Sequence, residues 1–399
     1  MNLFRPQVPY IHHPPKYSPW FKPVLTLISH YFLKKKYKIT GIQITGAQGL
    51  KKLVDAGHSV LVAPNHADHA DPSLMVTAAR RFGFTFHFMA AREGFEKTAF
   101  QRFMLQKAGA FSVNREGGDI GAIKTAMRIL QEGKFPLVIF PEGEIYHHHE
   151  LLDELNNGVA NILLRATAKL PEERESYVVP TCIRIRHGAG IEDTFSKRLD
   201  RLEQHITWKP RPDLDPVKRI YRLGSALLAI KEEEFLGHAR RGKLVERIQG
   251  LQASLIEPIE ILQGSKNTGM SMPMRIKALR GKIRGELTNQ MSPVSTQREK
   301  ELYDQLDHIF VAQQFYSYPG RYLKENPTTD RIAETLFKLE EDVLENETYY
   351  GPRNAEVIFD TPIEIKKFLK ERSLTFKTGV TPLTEQIRER VQSILASLD

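Results

Sequence analysis

The sequence predicts an α/β fold, with a mostly parallel central sheet that is covered by helices and interrupted by a mainly helical insertion. From about residue 40 to 186, apolar β-branched segments alternate with segments of helical periodicity, a pattern typical of parallel sheets. From about 215 to 349, one helical pattern follows another with few strand signals. A strand-like segment then returns near the C-terminus.

Length and composition indicate a folded protein with room for two domains. The 399 residues are 41% hydrophobic and 26% charged, which excludes wholesale disorder. The net charge of +9 suits nucleic acid, an anionic membrane or acidic substrates. No zinc-finger spacing or RNA-binding aromatic signature occurs, so a nucleic-acid partner is not expected. The one cysteine, Cys182, excludes an intrachain disulfide framework and fits a reducing compartment.

Residues 1–38 predict an N-terminal arm followed by an amphipathic helix. Apolar residues from Trp20 to Phe32 recur at helical spacing, and a cluster of lysines follows over residues 34–38. This helix either covers the core or lies on a membrane surface, where the lysines would meet anionic lipid. No secretory signal and no run of 18 apolar residues is found, so we expect a cytoplasmic protein, peripheral at the membrane surface, without a transmembrane helix.

Residues 39–214 are predicted to form the α/β domain. The predicted strands are Ile39–Thr45, Ser59–Ala63, Thr85–Ala90, Phe111–Val113, Leu137–Phe140 and Tyr177–Ile185. The predicted helices lie near Pro72–Phe82, Thr98–Ala108, Ile120–Glu132 and Gly158–Lys169. Functional residues of such sheets are expected just beyond the carboxyl ends of the strands.

Residues 215–349 predict the helical insertion, and residues 350–399 predict a strand and a helix that return to the first domain. Within the insertion, positive charges outnumber negative ones from Arg240 to Arg284, as on a solvated helix face or a second membrane-surface patch. An isolated strand near 355–359 would leave its backbone groups unpaired, so we expect it to pair with the strand at 177–185. The alternative is two sequential domains, with the C-terminal half packing on itself.

The strongest local signal is the segment NHADHAD, residues 65–71, between a predicted strand and a predicted helix. In a general base, a carboxylate fixes the tautomer of a histidine and stabilises the imidazolium, a role that Asp71 could play for His66. No serine or cysteine nucleophile with its own elbow motif lies nearby, so the base would act directly on an acceptor hydroxyl. A histidine near an aspartate is more often structural, and this segment alone does not decide between the two interpretations.

Three further segments bear on that choice. GAFSVNR delivers Arg115 after a short strand, and the fork of donors of an arginine suits a phosphate group. FPEG, residues 140–143, forces a turn that presents Glu142. YVVP, residues 177–180, enters another strand. Each segment alone is equally compatible with a surface ion pair or a structural turn.

In this order, NHADHAD, GAFSVNR, FPEG and VVP resemble the signature of the glycerol-3-phosphate and lysophosphatidic-acid acyltransferase superfamily: NHxxxxD, GxFxxxR, FPEG and a VP-containing strand. The resemblance covers roughly residues 40–186. It implies a glycerol-3-phosphate acyltransferase-like fold and a role in phospholipid biosynthesis. The implied reaction transfers a fatty acyl group from a thioester, acyl-CoA or acyl-ACP, to a hydroxyl of a glycerol phosphate or lysophospholipid.

The same resemblance implies roles for individual residues. His66 would be the general base and Asp71 its orienting partner. The implied substrate-binding residues are Asn65, Arg92, Arg115, Glu142 and Gly143, with Arg92 a candidate for stabilising the oxyanion. The resemblance implies no cofactor and no metal. The acyl donor is a co-substrate.

The sequence departs from this family after FPEG. Many relatives continue with Thr-Arg-Ser, whereas this chain continues with Glu144-Ile145-Tyr146 and three histidines. The change removes a possible phosphate contact and adds a carboxylate, which favours a different hydroxyl or lysophospholipid acceptor.

Two other functions are compatible with parts of the sequence. HADHAD and HHHE suggest a metal-dependent hydrolase, but the spacings HxHxDH and HExxH are absent. A non-catalytic membrane-binding protein could retain an acyltransferase fold. The intact pair of His66 and Asp71 argues against that, because a scaffold does not need it.

Overall fold

The computed structural model describes residues 10–115, 118–265, 269–288 and 294–398. Of the predicted N-terminal arm, residues 1–9 therefore lie outside the described residues, as does Lys266 of the basic segment in the insertion. The described chain forms two compact units. The α/β unit comprises Tyr10–Gly188 and the residues from Gly351 onward, and the helical unit comprises Ala189–Tyr350.

The α/β unit is built on an eight-stranded sheet. Its strands are β1 (Ile39–Thr45), β2 (Ser59–Pro64), β3 (His87–Ala91), β4 (Ala110–Val113), β5 (Leu137–Val138), β6 (Ser176–His187), β7 (Arg353–Phe359) and β8 (Ile363–Glu364). Their order is β1-β7-β6-β2-β5-β3-β4, with β8 also paired to β6. Only the pairings of β6 with β7 and β8 are antiparallel among the described strands. The predicted mostly parallel sheet is confirmed.

Helices make up most of the remaining described chain. They are α1 (Lys22–Tyr31), α2 (Ala47–Asp55), α3 (Asp71–Arg81), α4 (Arg92–Glu96), α5 (Ala99–Lys107), α6 (Ile120–Glu132), α7 (Gly158–Thr167), α8 (Phe195–Thr207), α9 (Pro216–Leu236), α10 (Leu244–Leu262), α11 (Met272–Leu287), α12 (Thr296–Tyr316), α13 (Tyr322–Glu325), α14 (Thr329–Leu344), α15 (Ile365–Glu371) and α16 (Val380–Ser397). Short 3₁₀ turns lie at Pro19–Phe21 and Glu192–Thr194, and a π-helical turn at Phe32–Lys36 extends α1.

The sheet of the α/β unit has an apolar core on each face. Every residue of β2 is buried, as expected for a strand that helices cover on both sides. Its side chains alternate between the two cores: Leu61 and Ala63 pack with residues of α6, α7 and α16, whereas Val60 and Val62 pack with residues of α2 and α3.

The C-terminal segment completes this sheet. Strand β7 pairs antiparallel with β6, with Cys182 opposite Ile358 and Ile185 opposite Ala355, so the predicted pairing of residues 355–359 with the strand at 177–185 is confirmed. On its other side β7 pairs parallel with β1. Helix α16 then packs its apolar side into the same core as α7.

Residues 10–18 run along the outer strand β4 and the end of helix α5. The backbone N–H of Ser112 donates to the His13 carbonyl at 3.0 Å, and the His13 N–H donates to Ser112 Oγ at 2.8 Å. Further along, the Lys16 N–H donates to the Gln106 carbonyl at 2.9 Å. The described part of the predicted arm is therefore fixed to the edge of the sheet.

The helical unit has two apolar clusters. One joins α8, α9 and α14, and the other joins α10, α11 and α12. The expected α/β domain ended at residue 214, but residues 189–214 lie in the helical unit because α8 buries Leu199 and Leu202 in the first cluster. Arg275 of the basic segment is paired with Glu260 at 2.6 Å, which offsets part of that segment's charge.

Candidate active site

The loop between β2 and α3 holds a histidine against a buried carboxylate. Strand β2 ends at Pro64, and Asp71 is the first residue of α3, with Pro72 following it in the first turn. His66 Nδ1 lies 2.9 Å from Asp71 Oδ2, and the His66 side chain is 15% exposed while that of Asp71 is 1% exposed. If Nδ1 carries the proton toward Asp71, Nε2 is the nitrogen that can accept one from a substrate. The predicted pair is therefore brought together.

Asp68, which the sequence did not single out, holds Asp71 in place. The Asp68 N–H donates to Asp71 Oδ2 at 2.9 Å, and the Asp71 N–H donates back to the Asp68 carbonyl at 3.1 Å. Asp68 Oδ1 accepts the N–H of Ala70 at 2.8 Å. These bonds close residues 68–71 into a turn that presents the Asp71 carboxylate to His66.

Asp68 is itself paired with Arg353, the first residue of β7. Arg353 Nη1 lies 2.6 Å from Asp68 Oδ2, and both side chains are almost fully buried. Burial by itself would raise the pKa of Asp68, but Arg353 and His149 outweigh it and hold the pKa below its usual range. The carboxylate is therefore ionised, and the returning strand is tied to the loop that carries His66.

The side chain of Asn65, a predicted substrate-binding residue, is hydrogen-bonded to the backbone of β6. Its Nδ2 donates to the Ile183 carbonyl at 2.9 Å, and its Oδ1 accepts the Ile183 N–H at 2.6 Å. Both polar groups of this buried amide are therefore used by the backbone of β6. Asn65 clamps the loop to β6 at the point where the chain leaves β2.

The FPEG turn lies directly against this loop. The His66 backbone N–H donates to Glu142 Oε1 at 2.6 Å, and the ring of Phe140 stacks on the imidazole of His66 with centroids 4.0 Å apart. Burial, opposed by this hydrogen bond, raises the pKa of Glu142 from 4.5 to about 8. Glu142 therefore contacts the backbone of His66, while Phe140 covers one face of its ring.

The shape of the FPEG turn depends on Gly143 and on Asn156, a residue with no signal in the sequence. Gly143 has a φ of +79°, which favours glycine over residues with a side chain. Asn156 Nδ2 donates to the carbonyls of Pro141 at 3.1 Å and Glu142 at 3.0 Å. The turn also ends the predicted strand at Leu137–Phe140 early, since β5 covers only Leu137–Val138.

Arg115 reaches the same turn from the end of β4. One of its Nη1 hydrogens is donated to the Gly143 carbonyl. The guanidinium also lies 3.1 Å from Glu144 Oε2 and 3.7 Å from Glu93 Oε2. Three of the four predicted motifs, NHADHAD, GAFSVNR and FPEG, thus meet through named contacts at the carboxyl ends of β2, β4 and β5.

Arg92, the candidate for stabilising an oxyanion, has other partners. Its side chain is buried, its Nη2 lies 2.8 Å from Glu96 Oε1, and its guanidinium lies over the ring of Tyr10 at 4.6 Å. These contacts anchor the N-terminal arm and balance the charge of Arg92. They give no support to a direct part in the chemistry.

The fourth motif lies in the centre of the sheet. The segment YVVP belongs to β6, where Val179 pairs with Val62 and Pro180 with Ala63 of β2. Two residues later, burial raises the pKa of the Cys182 thiol to about 12, so this cysteine is not activated as a nucleophile. The VP segment therefore supports the site through the position of β2.

Comparison with known proteins agrees with this architecture. A family model described as acyltransferase matches residues 41–184, from within β1 to within β6. No curated protein matches the chain. The matched range contains all four motifs, and the resemblance inferred from them is confirmed. Over residues 41–184, the α/β unit of this chain is therefore similar to the acyltransferase family.

Proposed function

We propose that this protein is an O-acyltransferase that moves a fatty acyl group from a thioester, acyl-CoA or acyl-ACP, to a hydroxyl of a glycerol phosphate or lysophospholipid. The observation that carries the proposal is the 2.9 Å contact of His66 with the buried Asp71 at the end of β2, inside the acyltransferase domain. A histidine oriented in this way has the equipment of a general base.

In the proposed reaction, Nε2 of His66 removes the proton of the acceptor hydroxyl. The oxygen attacks the thioester carbonyl carbon, and the resulting tetrahedral oxyanion collapses with cleavage of the C–S bond. The products are the new ester and a thiolate, which takes the proton back from the His66 imidazolium. Asp71 stabilises that imidazolium, and general-base catalysis of this kind contributes about 10²–10⁴-fold in rate.

The other contacts of the site support distinct roles. Glu142 holds the backbone of His66, and the Phe140 ring limits the rotation of its imidazole. Arg115 and Gly143 form the neighbouring side of the site, where we propose that the polar end of the acceptor binds. Arg92 and Asn65 are proposed to act through the fold, because their polar groups are engaged by protein partners.

We further propose that the α/β unit works at an anionic membrane surface, from which it takes its lipid substrate. No helix among the described residues is long and apolar enough to cross a bilayer. Large apolar side chains are nevertheless exposed on the 3₁₀ turn before α1, on α1 and on α5: Trp20, Leu27, Tyr31, Phe100 and Phe103. The rings of Phe21 and Phe103 are 5.7 Å apart, which places the 3₁₀ turn before α1 beside α5, and Lys34–Lys36 follow α1.

The test is a thiol-release assay on the full chain with acyl-CoA or acyl-ACP and several acceptors, with the ester identified by mass spectrometry. His66→Ala is expected to abolish transfer while leaving the fold intact. His205→Ala is the matched control, because His205 is an exposed histidine of α8 that is not one of the proposed site residues. Turnover of His66→Ala within about tenfold of wild type would contradict the mechanism. If the full chain releases thiol from neither donor, a non-catalytic protein is favoured.

A further inference from the structure

Residues 10–18, which we call the strap, are attached to the α/β unit without belonging to its sheet. The strap contains no strand, and β4 is the outermost strand beside it. Besides the two hydrogen bonds between His13 and Ser112, the Tyr10 hydroxyl lies 2.8 Å from Ser112 Oγ. A segment held by a few local hydrogen bonds can open by itself while the sheet stays folded.

The side chain of His13 is packed against a buried phenylalanine. Its imidazole stacks on the ring of Phe95, with centroids 5.7 Å apart and planes 13° from parallel, and Phe95 is fully buried. His13 Nε2 is shielded from solvent and forms no hydrogen bond with any residue that the structure describes. In the neutral tautomer with its proton on Nδ1, this nitrogen carries only a lone pair. In the imidazolium it carries a charged N–H, which would be buried without an acceptor.

The charged groups around His13 add to this penalty. Arg102 of α5 and Lys16 of the strap repel an imidazolium at His13. His12 also disfavours the charge, whereas Glu96 of α4 favours it. Burial, followed by Arg102, lowers the pKa of His13 from its ordinary value. His13 is therefore neutral in the docked strap and takes up a proton more readily once the strap is released.

The neighbouring His12 tolerates either charge state. Its Nδ1 lies 3.1 Å from the Ser112 carbonyl, and its Nε2 lies 3.0 Å from Thr125 Oγ1. With the proton on Nδ1, the Thr125 hydroxyl donates to Nε2; if Nε2 is protonated, the same hydroxyl can rotate and accept. Of the two histidines, His13 is thus the one whose protonation conflicts with docking.

We propose that the strap is a pH-sensitive device, which protonation of His13 releases from β4 and α5 and deprotonation docks again. Docking is fully stable above about pH 6.5, where the histidine of a released strap is also neutral, and it weakens as the pH falls below that value. The device does not depend on which reaction the site performs.

Release of the strap would reach the candidate site through Tyr10. The Tyr10 ring lies over the guanidinium of Arg92, the first residue of α4, at 4.6 Å. Its hydroxyl contacts Ser112 in β4, and β4 ends two residues before Arg115. A released strap therefore withdraws its contacts from the elements that lead into Arg92 and Arg115.

The test is hydrogen exchange of the full chain, followed by mass spectrometry at about pH 7.5 and about pH 5.5. After correction for the intrinsic exchange rates, peptides that contain residues 10–18 or Ser112 should lose protection by at least about threefold at the lower pH. A peptide from β2 is the internal reference, because every residue of that strand is buried and its protection should not change.

His13→Phe keeps an aromatic ring on Phe95 but cannot be protonated, so its strap should stay protected at both pH values. His13→Leu makes the same test with a smaller side chain, in case the phenylalanine ring does not fit. His30→Phe is the matched control, since it replaces an exposed histidine of α1 and should behave as the wild type. Unchanged protection of the wild-type strap between the two pH values would overturn the proposal. An equal loss of protection in the wild type, His13→Phe and His13→Leu would also overturn it, because another group would then cause the pH dependence.

Discussion

Replacing Arg353 tests whether the returning strand maintains the geometry of the loop at residues 65–71. Arg353 and Asp68 are 2.6 Å apart, and only 2% and 3% of their side chains are exposed. Removal of Arg353 leaves the buried carboxylate of Asp68 without its paired guanidinium, and breaking a buried ion pair typically costs about 3–5 kcal/mol. Arg353 Nε also donates to the Tyr37 carbonyl at 2.9 Å, and that bond is lost as well. We therefore expect Arg353→Ala to lower the unfolding free energy of the α/β unit by about 3–5 kcal/mol.

At temperatures below the melting temperature, Arg353→Ala should also reduce turnover. Asp68 supports the Asp71 carboxylate through its backbone N–H, so an unbalanced Asp68 would shift the partner of His66. A displacement of about 1 Å at a reacting group can cost about 10²-fold, and we expect kcat to fall by roughly 10–100-fold. Because the change lies behind the loop, KM should change much less than kcat.

The unfolding free energy is measured by urea denaturation and by hydrogen exchange at β6 and β7. Hydrogen exchange at these strands reports on the α/β unit alone. Arg390→Ala is the matched control, because Arg390 pairs with Asp360 at the same 2.6 Å but is 38% exposed. An exposed pair of this kind is worth at most about 1 kcal/mol. Asp68→Asn combined with Arg353→Ala should recover part of the loss. Equal losses for Arg353→Ala and Arg390→Ala would refute the reasoning from buried charge.

Three further predictions concern the site and its surroundings. Asp71→Asn keeps the side-chain shape but removes the charge that stabilises the imidazolium. The kcat should therefore fall by up to about 10⁴-fold, with little change in melting temperature. A fall in kcat of less than about tenfold would contradict the role of Asp71. Because the pKa of Glu142 is raised from 4.5 to about 8, folding favours its neutral form, and its contribution to stability should be lost as the pH rises from about 4.5 through about 8. Urea titrations across that range should show a shallower pH dependence for Glu142→Gln, and parallel curves would count against the shift. Trp20→Ala combined with Leu27→Ala should weaken co-sedimentation with anionic vesicles, whereas Trp208→Ala, at an exposed position in the helical unit, should not. Identical binding by the wild type, the double variant and Trp208→Ala would refute the proposed membrane surface.

Much of the α/β unit was predictable because its patterns are local. The apolar segments of β1, β2 and β6 and the helical spacing of α3, α5, α6 and α7 are each visible within about twenty residues. The pairing of residues 355–359 with β6 was also predictable, because a lone strand needs backbone partners. Helix α2 was not predicted, because the helical spacing of its apolar residues Leu50, Leu53 and Val54 extends over little more than one turn.

What the sequence could not show are contacts between distant residues. Arg353 is 285 positions from Asp68, and no local pattern links the two. Asn156 fixes the FPEG turn from a segment without a motif. The protein partners of Asn65 and Arg92, which are Ile183 and Glu96, could not be predicted for the same reason.

The position of β7 between β1 and β6 has a consequence for the order in which the protein is made. Among the strands that the structure describes, β1 pairs with β7 alone, so on the ribosome it lacks this partner until synthesis reaches residue 353. During that time β6 also presents one open edge, of the kind that recruits other chains into aggregates. An incomplete chain therefore contains every motif but not the countercharge of Asp68. We expect nascent chains that stop before Arg353 to depend on chaperones, and the emergence of β7 from the ribosome to be the event that completes the sheet.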